Sequence, residues 1–365
     1  MLSSDFYDSL RDRALAGQAF SDAECEQLLV DSEVDVMSLV HAAYQVRLEH
    51  CGRDVQIHII NNAQNGHCPE DCSYCTQAKT STTDIESYAL KSEDEILDEA
   101  RRAHEAGAHR YCMVFAGRGP NDGRTRKLAG IVRKIKESYN IEVCVSAGLL
   151  DEDKASVLKE AGVDRYNHNL NTSRDNYSKI CTTHTYDDRL DTIRAARKQG
   201  MEVCSGLIVG MGESAADVVE VAQALRGLDA ASIPVNFLLP FEGTPVGTPQ
   251  ALSPEYCLRV LCMFRLMNPS SEVRIAAGRE LHLRSLQPLA LQVANSLFLE
   301  GYLNSKGDAA HKTLEMIRDG GFNIVSDQDL DALLEGGVDD PASEQERLVQ
   351  LNTVKGRAEL RPTLD

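Results

Sequence analysis

Residues 55–75 read VQIHIINNAQNGHCPEDCSYC. The opening "VQIHIIN" is rich in β-branched residues and ends at an Asn/Gly turn, which predicts a strand. Cys68, Cys72 and Cys75 follow with the spacing C-x3-C-x2-C. Three thiols therefore fall in the loop directly after a strand. The same rhythm then repeats. Strand-like runs recur as "RYCMVFA" (110–116), "EVCVSAG" (142–148), "RYNHNL" (165–170), "EVCSGLIVG" (202–210), "SIPVNFLLP" (232–240), "EVRIAA" (272–277) and "NSLFLEG" (295–301). Amphipathic helical stretches such as "SEDEILDEARRAHEAG" (92–107) and "TYDDRLDTIRAARKQG" (185–200) separate them.

Eight strands alternating with helices over roughly 250 residues match the size and order of an α/β (β/α)8 TIM-type barrel. An open doubly wound sheet is the alternative. In a barrel the loop after the first strand lies at the C-terminal face, where active sites are built. The expected organisation is an N-terminal helical cap (1–50), a barrel (51–325), and a peripheral helix with a mobile, acidic C-terminal tail (326–365).

Composition narrows the function. The 365 residues carry a formal charge of −18, which argues against broad nucleic-acid or membrane-surface binding. No apolar run has transmembrane length and the start is polar, so the expected location is cytoplasmic. Eleven cysteines, an odd number at irregular spacing, do not read as a disulfide framework. Metal ligation explains a subset better. Structural zinc favours four protein ligands, often two C-x-x-C halves. Cys257 and Cys262 lie on an apolar helical stretch and read as core. Three thiolates suit a [4Fe-4S] cluster with one iron left open for a small molecule.

C-x3-C-x-aromatic-C after a first strand, with Tyr74 as the aromatic, resembles the radical S-adenosylmethionine (SAM) superfamily. The stretch "GLIVGMGE", with Gly206, Ile208, Gly210 and Glu213, is a second point of similarity. Cys112, Cys144 and Cys204 lie in three further strands and Arg274 in a fourth. If they point inward, closing the barrel gathers them. A buried guanidinium needs a partner, and an anionic cluster would supply one.

Over residues 55 to about 305 the chain resembles the biotin synthase family within that superfamily. The similarity is carried by "CPEDCSYC", "YCMV", "VDRYNHNLNTS", "TTHTYDDRLDTI", "CSGLIVGMGE", "SIPVNFLLPFEGTP", "VRIAAGRE" and "LRSLQPLALQVANSLF". The resemblance implies radical insertion of sulfur into dethiobiotin. It implies a [4Fe-4S] cluster on Cys68, Cys72 and Cys75, and an auxiliary cluster, two-iron or larger, on Cys112, Cys144, Cys204 and Arg274. It assigns SAM to Tyr74, Asn169, Asn171, Arg189 and Ile208, and the ureido ring of dethiobiotin to Asn236. An electron donor such as flavodoxin or ferredoxin, and a homodimer, belong to the same expectation. Asn171 stands where many of the family carry Asp, which removes a charge. Arg189 has a rival reading as a surface charge paired with Asp187 or Asp188. His168 reads as a hydrogen-bonded structural residue. Other radical SAM barrel enzymes, of maturase or mutase type, and a non-catalytic metal-binding barrel are the rival functions.

Overall fold

The computed structural model describes residues 2–246, 251–335 and 344–362. Nine short parallel strands build the central ring. They are β1 (Asp54–Gln64), β2 (Arg110–Phe115), β3 (Glu142–Ser146), β4 (Arg165–Asn167), β5 (Glu202–Cys204), β6 (Leu207–Val209), β7 (Ser232–Phe237), β8 (Glu272–Ile275) and β9 (Ser296–Phe298). Their order around the ring is β1-β2-β3-β4-β5-β7-β8-β9, with β6 also on β7, and β9 pairs back onto β1. The sheet is therefore closed, and the open-sheet alternative is excluded. The expected strand "EVCSGLIVG" is split. β5 and β6 are its two halves, and both pair with β7, so the barrel has eight staves. The break falls at Ser205-Gly206, where a Cβ on Gly206 would lie 1.9 Å from the Pro234 carbonyl oxygen. Only glycine lets the two backbones approach that closely.

The period-2 alternation of strands sorts side chains between two environments. Outward residues such as Tyr111, Met113, Val143 and Val145 pack with the helices α4 (Glu93–Glu105) and α5 (Asp122–Ser138). Inward residues Cys112, Cys144 and Cys204 form a separate cluster with Ala276 and Phe298. Ser92 caps α4, with Glu95 closing the reciprocal hydrogen bond. Its apolar stripe, Ile96, Ala100 and Ala103, is buried.

The N-terminal segment is helical, as read, but it lies on the flank of the barrel. Cys25 packs against Met267 at 3.4 Å. Arg259 reaches the carbonyls of Leu28, Asp31 and Val34. Arg47 donates to Asp54 and Ala294 carbonyls beside the starts of β1 and β9. These residues therefore line the outer wall, away from the loop that carries the cysteine triplet.

Asn323–Ile324 forms β10 on the first residues of β1. Residues 344–362 fold back and are tied down: Arg347 pairs with Asp308 at 2.9 Å and Arg361 with Glu95 at 2.7 Å. Complementary charge joins the described part of this segment to the barrel. Among the described residues, no helix is long and apolar enough to cross a membrane.

Candidate active site

The triplet loop begins at a sharp turn. Gly66 has φ +76° and His67 φ +54°. A Cβ on Gly66 would meet the Ser87 hydroxyl at 2.3 Å. Beyond the turn the loop is fastened to residues 180–184. Asp71 accepts from the Thr182 and Thr183 backbone N–H groups at 2.9 and 3.2 Å. The Ser73 N–H donates to the Ile180 carbonyl at 2.8 Å. Glu70 accepts from Thr183 Oγ1 at 2.6 Å and from His184 Nδ1 at 2.5 Å. Partial burial pushes the Asp71 carboxyl up, but the summed hydrogen bonds from Thr182, Cys181 and Thr183 hold it well below the usual range.

Cys72 is buried, and Cys68 and Cys75 are half-buried. Burial pushes the Cys75 thiol up to about 11, so ligation must drive its proton off. Among the described residues, one group of three metal-ligating side chains brings its ligand atoms within 4.8 Å of one another, and it is Cys72, Cys181 and His184. The sulfurs of Cys68, Cys72 and Cys75 do not all lie within that distance of one another. That spread, and the all-thiol donor set, fit a multi-iron cluster.

A cavity of about 240 Å³ opens beside the triplet, lined by Tyr74, Cys75, Asn169, Asn171, Arg189, Ile208 and Asn236. Every residue read from the sequence as a SAM or dethiobiotin contact therefore reaches one space. Asn171 sits at φ +69°, a conformation asparagine tolerates, and its Nδ2 donates to the Tyr74 hydroxyl at 2.5 Å. Its backbone bridges to Gly206 and Ile208. Asn169 Oδ1 accepts from the Gly206 N–H at 3.1 Å. Asn236 donates to the Leu207 carbonyl at 2.9 Å and accepts from the Ala277 N–H at 3.2 Å. Its amide nitrogen also reaches the Pro234 carbonyl at a long 3.5 Å, and its oxygen keeps one lone pair for a ligand. Glu213 closes the turn after β6 by accepting from the Gly210 and Met211 N–H groups at 2.6 and 2.7 Å.

Arg189 is buried and does not pair with Asp187 or Asp188. It donates to the Asn169 carbonyl at 2.7 Å, to His184 Nε2 at 2.9 Å, and to the Tyr177 hydroxyl. Asp187 pairs with Arg174 instead. The surface-charge reading of Arg189 is therefore wrong. His168 is buried; its backbone N–H donates to the Cys204 carbonyl at 3.0 Å, and its Nε2 has no partner. Burial drives its pKa well below the ordinary value, so the ring is neutral and lines the cavity.

The second thiol set lies deeper. Cys112 and Cys144 are register partners on β2 and β3. Cys144 is the sulfur neighbour of both Cys112 and Cys204. Arg274 Nη1 lies 4.0 Å from Cys204 Sγ. Cys144, against the cost of burial and with the help of Arg274, draws the Cys204 thiol below its usual range. These residues border a small void of about 20 Å³. Val114, Ser146, Asn167 and Tyr302 line both this void and the larger cavity. Three thiols and a guanidinium around one small void are a donor set that fits a small anionic cluster. A still larger cavity, about 530 Å³, opens between α4 and the C-terminal segment, but no cysteine lines it.

Sequence reasoning missed the partners around both sets. Glu272 accepts from Arg274, Arg110, Arg165, His58 and Ser296. Its place two residues before Arg274 on a strand was a usable signal. Cys181 and His184, in a C-x2-H spacing on a loop, were another.

The radical SAM superfamily model matches residues 65–225, and the biotin and thiamin synthesis associated domain matches residues 234–323. A biotin synthase of Magnetococcus marinus is 53% identical over 315 residues, covering 86% of this chain and 98% of that protein. The chain belongs to the biotin synthase family. A second biotin synthase, from Bacillus subtilis, is 45% identical over 325 residues, covering 89% of this chain and 97% of its own. As a radical SAM enzyme of the biotin synthase family, the chain is one that uses a [4Fe-4S] cluster and SAM. Among solved structures, methylornithine synthase superimposes with a TM-score of 0.76 at 22% identity, covering 89% of this chain and 99% of its own. The hydrogenase maturase of Carboxydothermus hydrogenoformans gives 0.74 at 19%, covering 88% and 79%. At such identities these two share the barrel, while sequence groups the chain with the biotin synthases.

Proposed function

We propose that the chain inserts sulfur into dethiobiotin inside the cavity between the two thiol sets. The observation that carries this reading is the shared wall. Val114, Ser146, Asn167 and Tyr302 line both the larger cavity and the void at the strand cysteines. Cys68, Cys72 and Cys75 would hold the [4Fe-4S] cluster, and Cys112, Cys144, Cys204 and Arg274 the auxiliary cluster. The clusters and SAM, when bound, supply the one-electron chemistry that an unactivated C–H bond requires, together with the sulfur atom.

The chain's own residues bind, orient and exclude water. Asn236 offers its spare acceptor, and the hydrogen it holds only weakly on Pro234, to the cyclic urea of dethiobiotin. Arg189, already buried, presents a guanidinium to the carboxylate of SAM. Asn169, Asn171 and Tyr74 place polar groups for the SAM ribose and adenine region, and Ile208 packs beside them. Tyr302, Phe237 and Leu238 supply apolar wall that keeps solvent out. No proton is withdrawn from the substrate by a base in this scheme. That agrees with a cavity in which burial lowers the pKa of His168 and so makes it a weak base.

A low-potential one-electron donor of the flavodoxin or ferredoxin type would serve the chain, which we infer to be a cytoplasmic homodimer. Eleven cysteines, all free, suit a reducing compartment. The test is anaerobic turnover of the reconstituted protein with dethiobiotin, SAM and a strong reductant. Iron and acid-labile sulfide are counted first, then biotin and 5′-deoxyadenosine. Biotin formation with deoxyadenosine release supports the reading. Release without biotin assigns a different substrate.

A further inference from the structure

Resting on the reading of Cys72 as a cluster ligand, we propose that Cys72 and Cys181 are a site of reversible oxidation. A peroxide that destroys the loop cluster joins them in a disulfide, which keeps Cys72 recoverable. Both residues are buried and free, and their sulfurs are 3.8 Å apart. A disulfide is about 2.05 Å long, so closing the bond takes less than about 2 Å of side-chain movement.

The backbone is already set for it. The helix Arg174–Ile180 ends at Cys181, which is extended at φ −155° and ψ 135°. The Ser73 N–H donates to the Ile180 carbonyl at 2.8 Å, and Asp71 accepts from the Thr182 N–H at 2.9 Å. These bonds flank the two cysteines and place Cys72 opposite Cys181 in antiparallel sense. Residues opposed in that way have Cα atoms roughly 4.5–5.5 Å apart, inside the span of about 4.4–6.8 Å that disulfides use.

Cys181 belongs to neither thiol set, so its sulfur stays free whether or not the loop carries iron. His184 Nδ1 stands 3.3 Å from that sulfur. Arg189 donates to His184 Nε2 at 2.9 Å, so the ring hydrogen is on Nδ1, shared between Cys181 and Glu70. The exposed Thr182 follows Cys181 directly, so solvent begins one residue away.

The oxidant is a peroxide. The Cys181 sulfur attacks one of its oxygens, the O–O bond breaks, and the departing hydroxide takes the thiol proton as water. Cys181 is left as a sulfenic acid. The Cys72 sulfur then displaces the sulfenic hydroxyl, which leaves with the Cys72 proton as a second water. Two thiols are oxidised by two electrons in all, and one peroxide is reduced to two waters. A dithiol returns the two electrons and two protons by exchange. Without a partner, a Cys72 sulfenic acid goes on to sulfinic acid, which thiols do not reverse.

The test treats the reconstituted protein with hydrogen peroxide, blocks remaining thiols by alkylation and maps tryptic peptides by mass spectrometry. Peptide 180–189 should appear linked to peptide 54–79, with fragment ions placing the bond on Cys72. Cys68→Ser and Cys75→Ser should keep the link, and Cys181→Ser should lose it. No link in the parent, or a link to Cys68 or Cys75, would overturn the proposal and leave Cys72 as a ligand untouched. After peroxide and then dithiothreitol, the parent should regain at least threefold more loop iron than Cys181→Ser, counted by Mössbauer spectroscopy. Cys181→Ala repeats this comparison should the serine variant not fold. Equal recovery would overturn the protective role. Linked protein that takes up loop iron as the reduced protein does would overturn the reading of Cys72 as a ligand instead.

Discussion

Arg274 and Glu272, two residues apart on β8, form a buried ion pair at 2.5 Å beside the strand cysteines. Glu272 meets the Nε and Nη2 side of the guanidinium, which leaves Nη1 facing Cys204. Burial alone would lower the pKa of Arg274, but Glu272 reverses the effect and keeps it charged. The same carboxylate neutralises Arg110 at 2.9 Å and contacts His58 at 3.1 Å. One acid thus holds several cationic or polar groups in place beside the strand cysteines.

Glu272→Gln should be costly for that reason. It leaves buried guanidinium groups short of their counter-charge, a loss of about 3–5 kcal/mol. Thermal unfolding should shift down. Reconstituted protein should lose auxiliary iron while the loop cluster persists, which Mössbauer spectroscopy can separate. Unchanged iron at both sites would show that Arg274 is held by other means.

Asp71 anchors the triplet loop through Thr182 and Thr183. Its folded-state pKa lies below the free-chain value. The anchor's contribution is therefore complete above the ordinary aspartate pKa of about 4, and is withdrawn as pH falls through the lower folded value. Asp71→Asn should release iron from the loop to a chelator roughly 10-fold faster at neutral pH. Equal release rates would mean that the loop is held without it.

Two glycines should respond in opposite ways to alanine. Gly206→Ala drives a methyl group into the Pro234 carbonyl and should cost about 1–3 kcal/mol or more. Gly130 lies inside α5 with nothing near its missing Cβ, so Gly130→Ala should gain about 0.4–1 kcal/mol. Chemical denaturation of both variants checks the pair.

Asn171→Ala removes the group that donates to the buried Tyr74 hydroxyl and puts alanine at φ +69°. The expected loss is about 1–3 kcal/mol of stability, with weaker SAM binding by calorimetry. Full SAM affinity in this variant would remove Asn171 from the cofactor site.

Much of this site was legible because barrel strands are periodic. A cysteine at the same place in three strands, and an arginine in a fourth, must share a face once the sheet closes. The structure brings them together as that argument requires. What escaped was the set of partners that come from sequence-distant loops. Cys181 lies on the loop after α7 (Arg174–Ile180 in the structure, preceded by α6, Glu152–Glu160), far along the chain from the Cys72 it touches. The break in the fifth stave was hidden because "EVCSGLIVG" is apolar throughout, and only the approach of Pro234 reveals why Gly206 interrupts it. The unpartnered Nε2 of His168 was not legible either, because the flanking asparagines bond elsewhere: Asn167 donates to Asn169, and Asn169 accepts from Gly206.

The central claim is that two thiol sets serve one cavity in separate roles. It is tested most directly by single-turnover assays of Cys144→Ala and Cys72→Ala, reconstituted anaerobically with dethiobiotin and SAM. Cys144→Ala should form no biotin yet still release some 5′-deoxyadenosine, and Cys72→Ala should form neither. Biotin at the parent rate from Cys144→Ala would contradict the account.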